Sequence, residues 1–307
     1  MRRSMDLATL TFIALTLIGW SAGCTSLDDA VQGRDGSEPW PCIIQAHRGA
    51  GDLAPENTLP SFELAWRMGV VPEADVRTTR DGVIVAFHDK DFKRLVKDAP
   101  PELVARSVAD LTWEEMAQLD VGAYKGPAFE GQRIPRLEAV FAAMRGRPQR
   151  WLYLDVKDVD LQRMAEMARE YRVERQVILA SSDDGLIRRW KELLPTSRTL
   201  LWMGGTQARL NERLRKLRET NFAGVTQLQV HVNVGDLNDP EPFDPPAEFI
   251  RTLAAELEQR GILFQVLPRN TRDPAAYTKL LELGVDSFAT DDPKVALQAA
   301  KAFRNRR

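Results

Sequence analysis

Val71–Asp89, VPEADVRTTRDGVIVAFHD, decides how the rest of the chain is arranged. Two β-type runs, VPEADVRT and VIVAFHD, flank a turn centred on Arg80–Gly82. A parallel crossover between neighbouring strands needs a dozen or more residues, and the gap here is far shorter, so the two runs form an antiparallel hairpin. Folding back at that turn brings Phe87 and His88 alongside Ala74 and Asp75. Residues two apart share a strand face: Glu73 and Asp75 point one way, while Ala74 and Val76 point the other and can pack against helices.

Outside the hairpin the chain alternates short β-type runs with longer amphipathic segments. CIIQAH precedes NTLPSFELAWRMG, in which Asn57 or Thr58 can cap a helix and Gly69 can end it. RWLYLDVKD, QVILASS, RTLLWMG, GVTQLQVHV, ILFQVLP and VDSFAT are each followed by a helical pattern. Strands alternating with helices predict a parallel sheet. Counting the hairpin there are nine candidate strands; setting aside VIVAFHD as its returning arm leaves eight, the number of a closed (β/α)8 TIM barrel.

With 307 residues, 44% of them hydrophobic and 28% charged, the chain can bury one large core. A net charge of -2 and the lack of a basic stripe argue against a nucleic-acid partner. Met1–Arg3 carries two arginines, Leu7–Trp20 is almost wholly apolar, and SAGCTS follows, the three-part plan of a bacterial export signal. The small residues before Cys24 resemble a lipoprotein lipobox, with Ser21 where leucine is usual, which makes Cys24 the candidate lipidation site; a plainly cleaved signal and a retained anchor are the alternatives. Residues 1–24 are thus expected to be the export signal, 25–40 a polar linker and 41–307 the barrel domain, with an insertion at about 90–131. The expected location is the cell envelope, as a membrane-tethered lipoprotein facing the periplasm or exterior. Cys42 reads as a small buried hydrophobe, with no intrachain disulfide expected.

The chemistry-bearing residues gather at strand ends. Only three histidines occur, and one of them, His47, lies beside Arg48 in QAHRGAGDLAPENT, where a strand runs into glycines. The hairpin returns His88 to the acid pair Glu73 and Asp75, which on one strand face makes half of a site for a hard cation. Asp155 and Lys157 share a face at the end of LYLDVKD, where barrel enzymes keep their sites.

AHRG, APENT, EADVRTTRDGVIVAFHD, IPRLEAVF, LYLDVKD and GVDSFATDDP, in this order, resemble the glycerophosphodiester phosphodiesterase family over roughly Ile43–Leu297. The resemblance implies a (β/α)8 barrel that hydrolyses a small-molecule glycerophosphodiester to an alcohol and glycerol 3-phosphate with a divalent metal, Ca2+ or Mg2+. It implies His47 and His88 as the paired catalytic histidines, Arg48 and Lys157 as phosphate-binding residues, and Glu73 and Asp75 as metal ligands. Asp155 stands where that family usually has a glutamate ligand. FQVLPRN stands where it tends to read WTVN, in a strand that helps shape the pocket for the alcohol.

A phosphodiester needs its growing negative charge held and a proton delivered to the departing alkoxide, which suits a guanidinium, a cation and two imidazoles. Which histidine is base and which acid is left open, as is the role of His231 at the end of VTQLQVH. In Lys90–Gly131, whose size suits a lid or an insertion at the mouth, SVADLTWEEMAQLDVG is expected to be helical, with Asp110 or Thr112 as cap. Trp113 is expected to pack it onto the barrel, while Tyr124 and Phe129 are candidates for either packing or an apolar substrate wall. The competing classes are a phospholipase-like or lysophospholipase-D-like hydrolase of the same superfamily and a non-catalytic envelope binding protein.

Overall fold

A computed structural model describes residues 42–97 and 99–306. The expected export signal, Cys24 and the linker lie outside the described residues. The strands are β1 Ile43–Ala46, β2 Val71–Thr78, β3 Ile84–Ala86, β4 Leu152–Asp158, β5 Val177–Ser181, β6 Arg198–Met203, β7 Gln227–Val234, β8 Phe243–Asp244, β9 Leu263–Arg269 and β10 Ser287–Thr290. Eight of them pair in parallel in the order β1-β10-β9-β7-β6-β5-β4-β2, and β1 also pairs with β2, closing a barrel. β3 runs antiparallel to β2 with Val76 opposite Ala86, and the Phe87 N–H donates to the Asp75 carbonyl at 2.8 Å, so the hairpin has the expected register. A second antiparallel piece, β8 against β7, was not expected; it lies in a stretch rich in acids and proline that shows no alternation.

The helices are α1 Leu59–Met68, α2 Pro101–Val104, α3 Trp113–Met116, α4 Leu137–Met144, α5 Leu161–Glu170, α6 Asp184–Leu193, α7 Gln207–Glu219, α8 Ala247–Gln259, α9 Pro274–Glu282 and α10 Pro293–Arg304. Thr58, not Asn57, caps α1 by accepting from the Ser61 N–H. Gly69 ends that helix in the left-handed region at φ 75°. Outward strand residues such as Ala74, Val76, Leu154, Leu179, Val230 and Phe264 join the inner faces of the helices in the main core. Inward residues Tyr153, Ile178, Leu200 and Leu263 plug the barrel. Beside them Gln227, Gln229, Gln265 and Ser287 are buried and largely paired, with the Tyr153 hydroxyl donating to Gln227 Oε1 at 2.8 Å and Gln265 Nε2 to Ser287 Oγ at 2.9 Å, while Gln227 Nε2 is left without a partner. Such pairing offsets the cost of burying amides.

The insertion departs from expectation in one respect. SVADLTWEEMAQLDVG is not one helix: a 3-10 turn at Val108–Asp110 and the one-turn α3 are separated by Leu111, which is extended and buried. Two capping boxes in succession explain the break, since Ser107 with Asp110 and Thr112 with Glu115 each start a separate turn. Phe87, Phe92, Leu95, Leu111, Met116 and Ile134 form a core of their own, and Trp113 packs on it. No helix among the described residues is long and apolar enough to cross a membrane.

Candidate active site

At the C-terminal end of β1 the chain turns sharply, with Arg48 at φ 52° and Gly49 at φ 112°. A side chain at residue 49 would collide with Ser61, and one at residue 51 with the Asp291 carbonyl, so both positions need glycine. Within this turn the Arg48 N–H donates to Glu73 Oε2 at 2.7 Å. The left-handed conformation of a non-glycine residue is uncommon and concentrates at functional sites. Here it places His47 and Arg48 over the strand carrying the acids.

Glu73 and Asp75 are each only 1% exposed. With Asp155 from the neighbouring strand they present carboxylate oxygens that all lie within 4.8 Å of one another. Asp155 therefore points into the cluster, and it also accepts from Lys157 Nζ at 2.8 Å. Lys157 reaches Asp75 Oδ1 as well, at 3.1 Å. Asn57, itself at φ 52°, grips Asp75 twice: its Nδ2 donates to Oδ2 at 2.9 Å and its Oδ1 accepts the Asp75 N–H at 3.0 Å.

Burial, then the charge of Asp75, pushes Glu73 up to about 8. Burial also raises Asp155. Burial opposes ionisation of Asp75 too, but Lys157, His88 and the Asn57 hydrogen bond together hold it below the usual carboxylate range. Three crowded carboxylates thus face the Lys157 ammonium and the Arg48 guanidinium, whose Nε lies 3.6 Å from Asp75 Oδ2, and both cations favour Asp75. An all-oxygen donor set of this kind fits a divalent hard cation, whose charge would relieve the repulsion that raises Glu73.

Each of the two expected catalytic histidines is held by a carboxylate of its own. His47 Nδ1 lies 2.7 Å from Asp291 Oδ1, and His88 Nδ1 lies 2.7 Å from Asp89 Oδ1. Asp89 also accepts from Arg94, which forms a bidentate pair with Glu56 at 2.5 and 2.7 Å, and Glu56 in turn accepts from Arg48 Nη1 at 3.2 Å. The insertion thus braces the site through Arg94, and through the Tyr124 hydroxyl, which accepts the Glu56 N–H at 3.2 Å. Asp89, Asp291, Asn57, Glu56 and Arg94 are supports that sequence reasoning missed. Their only linear signal is that most of them sit inside the motif blocks already quoted.

Burial pulls the His47 imidazole down, but the Asp291 hydrogen bond and the charge of Glu73 more than offset it and raise the ring to about 9. A histidine raised on folding adds stability that is complete below its ordinary value near 6.5 and disappears as the pH climbs through about 9. Asp291→Asn, unfolded thermally in chelator, is therefore expected to be less stable than the parent at pH 6 and indistinguishable from it at pH 10. The difference should be no more than about 1 kcal/mol, because the pair is partly exposed and screened. An equal deficit at both pH values would mean that Asp291 acts through packing alone.

The third histidine, His231, faces inward from β7 and stacks on Trp202 with ring centroids 5.5 Å apart. Burial, with Arg269 beside it, lowers this ring to about 4, so it is neutral. It shares its side of the barrel mouth with Trp202 and Arg269, and the charge of His47 reaches it.

Residues 47–295 match the glycerophosphoryl diester phosphodiesterase family. The chain belongs to this family. Among its relatives, YhdW of Bacillus subtilis is 28% identical over 264 residues, covering 84% of this chain and 98% of that protein. The glycerophosphodiester phosphodiesterase of Caldanaerobacter subterraneus is 26% identical over 266 residues, with the same coverage of 84% and 98%. A solved phosphodiesterase of Oleispira antarctica, in complex with the product sn-glycerol-3-phosphate, shares the fold at a TM-score of 0.62 and 22% identity, over 84% of this chain and 96% of that one. The family is one of hydrolases, and this member carries aspartate as the third acid of its cluster, at position 155.

Proposed function

We propose that this family member hydrolyses glycerophosphodiesters to an alcohol and glycerol 3-phosphate, using Glu73, Asp75 and Asp155 to hold Ca2+ or Mg2+. The observation that carries this reading is a buried three-carboxylate cluster flanked by two histidines, each fixed through Nδ1 by its own acid. A binding protein has no need of paired proton carriers. The Oleispira relative, with glycerol 3-phosphate as its product, supports the same products here.

The bound ion would supply Lewis-acid charge stabilisation at the phosphoryl oxygens. Arg48 brings its guanidinium to the phosphate position from between two acids, with Nη1 on Glu56 at 3.2 Å and Nε 3.6 Å from Asp75 Oδ2. Lys157 holds two acids of the cluster and so sets their spacing while adding positive charge beside the phosphate. His47, kept as the imidazolium by Asp291, serves as the acid, and His88 as the base. His88 accepts the proton of the attacking hydroxyl as the new P–O bond forms; where that hydroxyl is water the product is glycerol 3-phosphate directly, and where it is the neighbouring glycerol hydroxyl a cyclic phosphate forms and water then opens it, with the two histidines exchanging roles. The bond to the alcohol breaks, and His47 gives its proton to the departing oxygen.

The test is product analysis with glycerophosphocholine against lysophosphatidylcholine, with metal added back after chelation. Glycerol 3-phosphate and choline from the first substrate, dependent on added metal, are expected. Turnover of lysophosphatidylcholine alone would favour the phospholipase-like alternative, and turnover of neither of these nor of glycerophosphoinositol would overturn the reading.

We further propose that Cys24 is acylated after export and tethers the enzyme to the cell envelope, facing the periplasm or exterior. The lipobox-like SAGC and the polar stretch after it support this. Cys24→Ser is expected to move the protein from the membrane to the soluble fraction and remove the lipid mass from its N-terminal peptide. An unchanged peptide mass and distribution would refute the tether.

A further inference from the structure

The half of the mouth that carries His231 holds a concavity of about 670 Å³ that the mechanism above does not use. Trp202 on β6, His231 on β7 and Arg269 at the end of β9 line its barrel side, and Arg209, Arg213 and Lys216 line the other. Those three are at i, i+4 and i+7 of α7 and so share one helix face. Two acids, Asp183 and Asp184, sit at the edge, but both are committed elsewhere. Asp183 caps α6 through the N–H groups of Gly185 and Leu186, and Asp184 pairs with Arg188.

The cations make no ion pair with these two acids, although both acids lie near enough to Arg213 to favour its charge. Arg213 donates to the carbonyls of Ser182 at 2.6 Å and Trp202 at 3.5 Å. Arg269 Nη2 donates to His231 Nδ1 at 2.9 Å, and His231 Nε2 in turn reaches Gln229 Oε1 at 3.2 Å, so a neutral ring orients this guanidinium. Gly204 makes room for that ring, since a side chain there would meet it. Arg209 has no side-chain ion pair among the described residues, and Lys216 has only Glu212, at 3.4 Å. On the same helix the arginines turned away from the concavity are paired, Arg215 with Glu212 and Glu219, and Arg218 with Glu256. Like charges at i, i+4 disfavour a helix, so Arg209 beside Arg213 is a cost that local structure does not repay.

This concavity opens on the same rim as the acid cluster. Asp155, Ala180 and Leu200 are in register across β4, β5 and β6, and Trp202 is the next inward residue on β6. A phosphodiester seated at the acids would turn one of its two ester arms, the glycerol or the alcohol, toward this side of the rim. We propose that the concavity receives an anionic group on that alcohol, so that the enzyme prefers glycerophosphodiesters whose alcohol bears a phosphate or carboxylate. This specificity rests on the hydrolase reading above.

The test compares glycerophosphoinositol with glycerophosphoinositol 4-phosphate, which differ only by a phosphate on the alcohol. We expect kcat/KM to favour the phosphorylated diester by about 10-fold or more, through desolvated contacts to charge. The ratio should collapse toward one in the double variant Arg209→Gln with Arg269→Gln and survive in the corresponding double lysine variant. Both arginines are exposed, so the fold should tolerate these changes. A parent ratio near one, or a ratio unchanged in the glutamine variant, overturns the proposal. If neither diester is hydrolysed, the hydrolase reading fails. Calorimetric binding of the same two diesters in chelator then decides the concavity by itself: tighter binding of the phosphorylated one, lost in the glutamine variant, sustains an anion site, and equal binding refutes it. Inorganic phosphate that binds the concavity, while the two diesters remain equivalent, would assign it to a free anion and also overturn the proposal.

Discussion

His47→Ala and His88→Ala are each expected to lower turnover by about 10²–10⁴-fold, the usual contribution of a positioned general acid or base. The thermal transition should move little, because both rings are partly exposed at strand ends rather than packed in the core. The pair should also be non-additive: once one proton step is lost, removing the second partner has little left to remove. The two sites differ in their bracing. His88 is tied through Asp89 and Arg94 to Glu56 and Arg48, so His88→Ala removes one end of a partly exposed charge network. His47 depends on Asp291, which follows β10 directly. Steady-state kinetics beside thermal melts of the two single variants and the double variant check this. Near-parental turnover in either single variant would remove that histidine from the mechanism.

The second large effect is expected at the acid cluster. Chelation should abolish turnover, and Asp155→Ala should remove most of it at ordinary metal concentrations. Losing an outer partner of a metal ligand typically costs about 10–100-fold in affinity or activity, so losing a ligand should cost at least that. Asp155→Asn should raise the metal concentration needed for half-maximal activity, whereas Asp155→Glu should be tolerated, because the added methylene reaches the same oxygen cluster and Ca2+ accepts variable geometry. A purely structural role is distinguishable. Asp155→Ala would also free Lys157 from one partner, yet that loss should not respond to added metal. Glu73→Gln should raise the metal requirement while leaving the melting temperature in chelator at least as high as the parent's, since it removes one of three crowded carboxylates. If Asp155→Ala keeps the parental metal requirement, the site is a two-carboxylate one.

Much of this was legible in the chain itself because it depends on local rules. The short loop at Arg80–Gly82 forces a hairpin whatever surrounds it, and removing its returning arm leaves the strand number of a closed barrel. Period-two alternation likewise sets Glu73 and Asp75 against Ala74 and Val76, and the observed cores divide in the same way. Those inferences need only spacing and side-chain polarity. The helical reading of the insertion failed for an equally local reason, two successive capping boxes that outweigh the apolar periodicity.

What the linear order could not carry are distances between residues far apart in it. Asp291 lies 244 positions from His47, and Asn57 lies 18 from Asp75; nothing in their local sequence marks them as partners. Asn57 has the composition of a helix cap, and only the closure of β1 against β2 turns it toward the acid instead. The same holds for the cationic half of the mouth. Arg209 and Arg213 belong to a highly charged amphipathic helix in which the sequence shows every arginine alike, and Arg269 is a single residue after a proline. Packing decided which of them had carboxylates within reach and which were left facing an opening, because ion pairing depends on separations of a few ångströms that sequence spacing determines only within a single helix or strand.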